Sequence, residues 1–95
     1  MSRPISTESR FRAIAHLSRR RIIDLLLRGE KTAGELAEHF HHSRPVLSKH
    51  LRVLEVTGLI VFDRRGTQLV YRIVPQAFDP MRQWMARVPR RPVSR

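Results

Sequence analysis

Apolar residues in the first third of the chain recur at the three- and four-residue spacing of helices. A first helix is predicted to begin at a cap residue, Ser6 or Thr7, and to end near His16. A second helix is predicted to begin at Ser18 and to continue until Gly29 stops it. The apolar faces of the two helices are Phe11, Ile14 and Ala15, and Ile22, Ile23, Leu26 and Leu27.

The middle of the chain has the pattern of two short helices joined by a tight turn. The first opens with a capping box, in which Thr32 and Glu35 each accept a hydrogen bond from the other's backbone N–H. The second is expected to follow Ser43 as N-cap, with Pro45 in its first turn and Gly58 at its end. Their apolar stripes are Leu36, Ala37 and Phe40, and Leu47, Leu51 and Leu54. Two helices so connected form a helix-turn-helix.

After this motif the period of the pattern changes from helix to strand. An apolar run over 59–62, turn residues over 63–66 and an alternating segment over 69–74 predict a β-hairpin with a basic tip. Apolar residues then return at helical spacing and predict a last helix from about Gln76 to Val88. Its apolar positions are Phe78, Met81, Trp84, Met85 and Val88.

These elements describe one mainly α-helical domain over residues 7–88, between a disordered leader, 1–6, and a basic disordered tail, 89–95. Five helices with a hairpin between the fourth and the fifth make a winged helix-turn-helix. No apolar run approaches the ~18 residues that cross a bilayer, and the N-terminus lacks the apolar core of a signal peptide. A soluble cytoplasmic protein is expected.

The charge of the chain favours a polyanionic partner. The formal net charge is +11 and the pI is about 11.8, although arginine-rich composition also arises from codon bias in GC-rich genomes. Cysteine is absent, which removes disulfides and thiolate metal sites. There is no nucleophile–base pair and no glycine-rich phosphate loop, so an enzyme is not expected.

The polar face of the second motif helix is the predicted DNA-reading surface, because the major groove admits a cationic helix. Arg44, in the first turn, is the best candidate to bind a guanine edge with two hydrogen bonds. His50 either donates to a phosphate or packs between helices, and the run 19–21 is either a phosphate contact or a solvated face. The predicted DNA-binding set is Ser43, Arg44, Pro45, Ser48, Lys49, His50 and Arg52, with Arg64 and Arg65 in the wing.

The order of segments resembles the ArsR/SmtB family of winged-helix repressors, over about residues 8–88. The matching pieces are FRAIAHLSRRRIIDLLL, TAGELAEHF, SRPVLSKHLRVLEVTGLI and RRGTQLVYRI. The resemblance implies a homodimer, joined through the first and last helices, that covers an inverted-repeat operator in double-stranded DNA. The residues expected at that interface are Phe11, Ile14, Phe78, Met81, Trp84 and Met85.

The chain departs from the metal-sensing members of that family. Thr32 and Gly34 stand where those members carry cysteines, and the last helix offers Asp79 but no histidine. The cluster His39, His41 and His42 is read as a solvated turn beside DNA, because zinc takes three or four ligands in a defined geometry. No metal or cofactor is expected. Control would come from protein level, as in an autorepressor, or from an organic ligand or partner at the dimer face.

Two other functions stay open from the sequence. A small basic RNA-binding protein would share the charge, but it usually displays aromatic side chains for base stacking. The aromatics here fit apolar faces, with Tyr71 the one that is not assigned to such a face. A winged-helix module that binds proteins would not need the intact polar face of the reading helix. Competition between duplex DNA and RNA for binding to the protein distinguishes the RNA-binding alternative from a DNA-binding regulator.

Overall fold

The computed structural model describes residues 5–92. The helices are α1 Thr7–Ile14, α2 Leu17–Leu26, α3 Ala33–Glu38, α4 Arg44–Val56 and α5 Asp79–Met85. The strands are β1 Lys31–Thr32, β2 Ile60–Arg65 and β3 Gln68–Ile73, and a 3-10 helix, Pro75–Phe78, leads into α5. The predicted mainly α architecture with a hairpin wing is confirmed.

Three of the predicted helix ends are present. Ser6 caps α1, with its Oγ accepting a hydrogen bond from Ser9 N at 3.0 Å. The capping box of α3 is complete: Glu35 N donates to Thr32 Oγ1 at 3.1 Å, and Thr32 N donates to Glu35 Oε1 at 2.9 Å. Gly58, at φ +75°, ends α4, and the following Leu59 N donates to Leu54 O at 3.0 Å.

The bounds of two helices differ from the expectation. Residue His16, rather than Ser18, is the N-cap of α2, and its Nδ1 accepts from Ser18 N at 3.2 Å. The helix ends at Leu26, before the expected end next to Gly29. The last helix is shorter as well, because its first turn is the 3-10 helix and α5 ends at Met85 rather than Val88.

The wing is longer than predicted and belongs to a three-stranded antiparallel sheet in the order β1-β3-β2. Residues 63–65, expected in the turn, continue β2, with Arg65 opposite Gln68. The turn is thus Gly66 and Thr67, with Gly66 at φ +61°. The two-residue β1 pairs with β3 and was not predicted, since so short a strand has no alternation to detect.

A single apolar core lies between α2, α4 and the sheet. Fully buried side chains from four segments meet there: Ile22, Leu36, Leu54 and Leu59. The predicted stripe of α4 is confirmed, because Leu47, Leu51 and Leu54 are all buried. Met81 of α5 is also buried in this core, at 4% exposure. Its side chain also lines an apolar groove between α1, α2 and α5, so its place at the dimer interface stays a prediction.

Residues 1–4 of the expected leader and 93–95 of the expected tail lie outside the described residues. Of the rest, Ser6 already belongs to the cap of α1, while 89–92 form no helix or strand. None of the helices in the described part is long and apolar enough to cross a membrane.

Candidate nucleic-acid interface

Helix α4 separates a buried apolar face from an exposed polar one. Its hydrophobic residues pack against α2 and β2, which fixes the rotation of the helix about its axis. The opposite side carries the predicted reading residues, and all of the following are exposed: Ser43, Arg44, Pro45, Ser48, Lys49 and Arg52. The structure therefore brings six of the seven predicted α4 residues to one accessible surface.

The cations of this surface are not neutralised by neighbouring acids. Within residues 5–92, Arg44, Lys49 and Arg52 form no salt bridge and no side-chain hydrogen bond. Glu55, one turn from Arg52, is half-buried, and this burial raises the pKa of its carboxyl group despite the opposing effect of Arg52. The guanidinium and ammonium groups of α4 are thus available to an external anion.

The N-terminus of α4 adds backbone donors to the same surface. Ser43 is the N-cap with extended backbone geometry, but its hydroxyl makes no capping hydrogen bond. The first N–H groups of a helix lack partners within the helix, and they carry the positive end of its dipole. Within residues 5–92, this 13-residue helix therefore presents a hydroxyl and N–H groups without partners beside Arg44.

His50 does not lie on the exposed surface. It is 8% exposed, its ring centroid lies 4.5 Å from that of His16, and its Nδ1 lies 3.4 Å from Arg19 Nη1. Burial lowers the pKa of His50, and the nearby positive groups of His16, Arg19, His42 and Lys49 lower it further. Of the two interpretations left open, packing between helices is the one observed, which corrects the placement of His50 among the DNA contacts.

The arginines at the start of α2 are engaged by α1. Arg19 Nε donates to Ala13 O at 2.6 Å, and Arg20 Nη1 donates to Ile14 O at 2.7 Å. These carbonyls belong to the C-terminal turn of α1, the negative end of its dipole. Two of the three adjacent cations at the start of α2, Arg19 and Arg20, therefore cap the C-terminus of the preceding helix.

The two predicted wing arginines are in different environments. Arg65 makes two hydrogen bonds to the Glu30 carboxylate, at 2.6 and 3.1 Å, and this pairing lowers the pKa of Glu30. Asp63, which pairs with Arg72, lies 3.7 Å from Arg65. Arg64 points to the other face of β2, since successive strand residues alternate, and forms no ion pair among the described residues.

The histidines of the α3–α4 turn do not converge. His39 Nδ1 lies 2.9 Å from Glu35 O of its own helix, while His42 Nε2 lies 3.3 Å from Ser18 Oγ on α2. Across residues 5–92, no three His, Asp or Glu side chains are grouped so that they could hold a metal ion.

An apolar groove opens on the side of the molecule formed by α1, α2 and α5. Its volume is about 560 Å³, and its walls include Phe11, Ile14, Leu27, Phe78 and Met85. Beside it, the ring of Trp84 packs edge-on against Phe11, with centroids 5.6 Å apart, yet the indole remains 51% exposed. Five of the six residues predicted for the dimer face line this groove, Met81 among them, and the sixth, Trp84, lies beside it.

Sequence reasoning missed several residues that organise the site. The burial of His50 had a signal, since it stands three residues after Leu47 and four before Leu54 on the apolar stripe. The partner of Arg65 had none, because Glu30 is 35 residues away in the chain. Arg10, which donates to two distant carbonyls, was likewise not recognised.

A helix-turn-helix with a free cationic second helix, followed by a β-hairpin, defines a DNA-binding protein of the winged-helix class. The sequence model of the family described as "Bacterial regulatory protein, arsR family" matches residues 17–61.

Relatives cover most of the chain. It is 39% identical over 75 residues to the transcriptional repressor SdpR of Bacillus subtilis (strain 168). The aligned residues span 79% of this chain and 83% of that protein. It is 35% identical over 82 residues to the HTH-type transcriptional regulator Rv2034 of Mycobacterium tuberculosis, spanning 86% of this chain and 77% of that one.

The fold agrees with solved structures of the same group. The crystal structure of an ArsR family transcriptional regulator superposes with a TM-score of 0.80 at 30% identity, covering 90% of this chain and 89% of the other. The chain belongs to the arsR family of bacterial regulatory proteins, and it is a DNA-binding transcriptional regulator. The resemblance seen in the sequence is confirmed.

Proposed function

We propose that the protein is a homodimeric repressor that binds an inverted repeat in double-stranded DNA and blocks transcription of its own or neighbouring genes. The observation that carries this proposal is the exposed face of α4, whose three cations have no acidic partner within residues 5–92. Its relatives include proteins named as transcriptional repressors, among them SdpR.

Each exposed residue of α4 has a role set by its position. Arg44, in the first turn, enters the major groove and binds a guanine edge, while Ser48 contacts a base acceptor or phosphate. Ser43 binds phosphate through its free hydroxyl, and Pro45 packs beside it. Lys49 and Arg52 bind backbone phosphates, and Arg64 of the wing adds another phosphate or minor-groove contact.

The apolar groove supports the dimer. Exposed large side chains cluster at its rim, with Leu27 68%, Trp84 51% and Met85 55% exposed. A protein of 95 residues gains by covering such a surface with a second copy. We infer that the residues lining or flanking the groove pack against the same face of the partner: Phe11, Ile14, Phe78, Met81, Trp84 and Met85.

Trp84→Glu tests the interface without disturbing the core, because the side chain is already half exposed. We expect sedimentation at micromolar concentration to give a dimer for the wild type and a monomer for the variant. Val56→Glu is the matched control, since Val56 is 56% exposed and does not line the groove. A dimer of unchanged stability in Trp84→Glu would place the interface elsewhere.

We propose that regulation is independent of metal. The protein is also proposed to act in the cytoplasm and to have no catalytic activity. His39 and His42 have separate partners, and Thr32 is occupied by the capping box. Control then comes from protein level or from an organic ligand at the dimer face. Release of the operator by micromolar zinc, nickel or copper, lost in His39→Ala or His42→Ala, would contradict this.

Selection of bound sites from random duplex DNA tests the function itself. We expect an inverted repeat with half-sites about one helical turn apart. The selected duplex should also occur upstream of the protein's own gene or a neighbouring gene. Preferential binding of RNA in competition at physiological salt would instead favour an RNA-binding protein.

A further inference from the structure

Arg10 of α1 connects three parts of the protomer. Its guanidinium is half-buried, and Nε donates to Thr57 O at 2.9 Å, at the C-terminal end of α4. Its Nη1 donates to Ala77 O at 3.2 Å, in the 3-10 helix that leads into α5. One side chain thus joins α1 to the reading helix and to the last helix.

A cation at the C-terminus of α4 stabilises the helix. The last carbonyls of a helix lack N–H partners and form the negative end of its dipole. The last turn of α4 contains no basic residue of its own. Arg10 supplies the missing positive charge from another helix, so the hydrogen bond also fixes where α4 ends relative to α1.

Gly58 leaves room for the guanidinium. A Cβ at this position would lie 3.2 Å from Arg10 Nη2, so a larger residue would press on the guanidinium. The backbone of Gly58 is left-handed, at φ +75°, which turns the chain away from the helix axis. The guanidinium therefore lies directly over the residue that terminates the reading helix.

The other side of α1 belongs to the proposed dimer face. Phe11 follows Arg10 in the chain, lines the apolar groove and contacts Trp84 of α5. Within α1, the dimer surface and the attachment to α4 are thus one residue apart. Any rotation or shift of α4 relative to the dimer face has to break or bend the hydrogen bonds of Arg10.

We propose that Arg10 is a positioning residue that sets the distance and angle between the two recognition helices of the dimer, and so the half-site spacing that the protein accepts. This inference rests on the proposed binding of an inverted repeat by a dimer. One base pair of added spacing moves a half-site by about 3.4 Å and rotates it by roughly 35°. A dimer in which α4 is held in a fixed position binds the altered operator weakly, whereas one in which α4 can move adapts to the new spacing.

The experiment compares Arg10→Met with the wild type on operators whose half-site spacing is original, one base pair shorter or one base pair longer. For the wild type we expect the altered spacings to weaken binding roughly tenfold or more, because one recognition helix then meets the wrong base pairs. For Arg10→Met we expect the three spacings to agree within about threefold.

The matched control is Arg12→Met, which removes the same charge from the same helix. Arg12 is 79% exposed and, among residues 5–92, pairs only with Glu8 across one turn, so its loss should leave the spacing preference unchanged. Arg10→Lys keeps the charge but has one compact donor group for two carbonyls, so its spacing preference should be intermediate.

A spacing penalty in Arg10→Met equal to that of the wild type would overturn the inference. General destabilisation cannot imitate the expected result, because it lowers affinity for all spacings alike and leaves their ratio unchanged. If Arg10→Met fails to fold, Arg10→Lys decides, and a wild-type ratio in that variant overturns the inference. A wild-type protein that binds all spacings equally would also overturn the inference, whereas one that binds no inverted repeat would refute the proposed function instead.

Discussion

The arginines of α1 and α2 and the cations of α4 carry the same charge but are used differently. Arg10, Arg19 and Arg20 donate to backbone carbonyls at the ends of helices. Arg44 and Lys49 of α4 have no such acceptor among residues 5–92 and project from an exposed face. The first group satisfies the protein's own polar atoms, and the second is left for an external anion.

This difference shows why net charge alone does not locate a DNA-binding surface. A formal charge of +11 measures attraction to a polyanion, but each arginine bound to a buried or half-buried carbonyl is committed to the fold. The planar guanidinium with its five donors suits both uses, so composition cannot separate them. The two uses are distinguished by the hydrogen-bond partner that each arginine side chain has in the folded structure.

The largest expected effect concerns salt. If a dimer neutralises about 8 phosphates, the logarithm of the binding constant should fall with the logarithm of salt at a slope of about −7, or roughly 10⁴-fold between 50 and 200 mM. Arg19→Met should change the slope less than the loss of an α4 cation, since the Arg19 side chain is half-buried and bound to Ala13 O. Titration on a selected operator measures both, and a wild-type slope near zero would remove α4 as an electrostatic surface.

Arg44→Ala should weaken operator binding by about 1–3 kcal/mol and relax the preference at one base pair of each half-site. Arg19→Ala should instead lower the free energy of unfolding by about 1–3 kcal/mol, because it leaves the half-buried end of α1 without its charged donor. Site selection and urea denaturation measure the two effects. An unchanged motif in Arg44→Ala would reassign the reading residue.

The wing should show a smaller version of the same contrast. Arg64→Ala should reduce the magnitude of the salt slope by about 1 for each wing that contacts DNA. Arg65→Ala should change it less, because Glu30 already neutralises that guanidinium. Equal losses in the two variants would mean that DNA phosphate displaces Glu30 from Arg65.

The smallest expected effect is a pH dependence from His50. Burial lowers its pKa, so the unfolded chain, with a pKa near 6.5, binds the proton more readily. Stability is then fully present above pH 6.5 and declines as the pH falls toward the lower pKa of the folded state. Denaturation of His50→Gln across pH 5–8 should give a flatter curve, whereas exposed His41→Gln should match the wild type.

Local features of the sequence predicted the reading motif well. The capping box of Thr32 and Glu35, Pro45 in the first turn of α4 and Gly58 at its end all rest on interactions within a few residues. The hairpin was also predicted, but its tip was placed too early. The ion pairs of Arg65 and Arg72 allow charged residues to continue β2 where turn chemistry was expected.

The sequence by itself determined the helix-turn-helix, the rotation of α4 and the winged-helix class, because hydrophobic period and capping act locally. Tertiary structure alone decided which cations are bound to the protein's own carbonyl and carboxylate groups and which are not. A guanidinium finds its acceptor in space, as Arg10 does at Thr57 O and Ala77 O, 47 and 67 residues away. It also decided which groups surround His50, since His16 and Arg19, which lie against its ring, are more than 30 residues away in the chain.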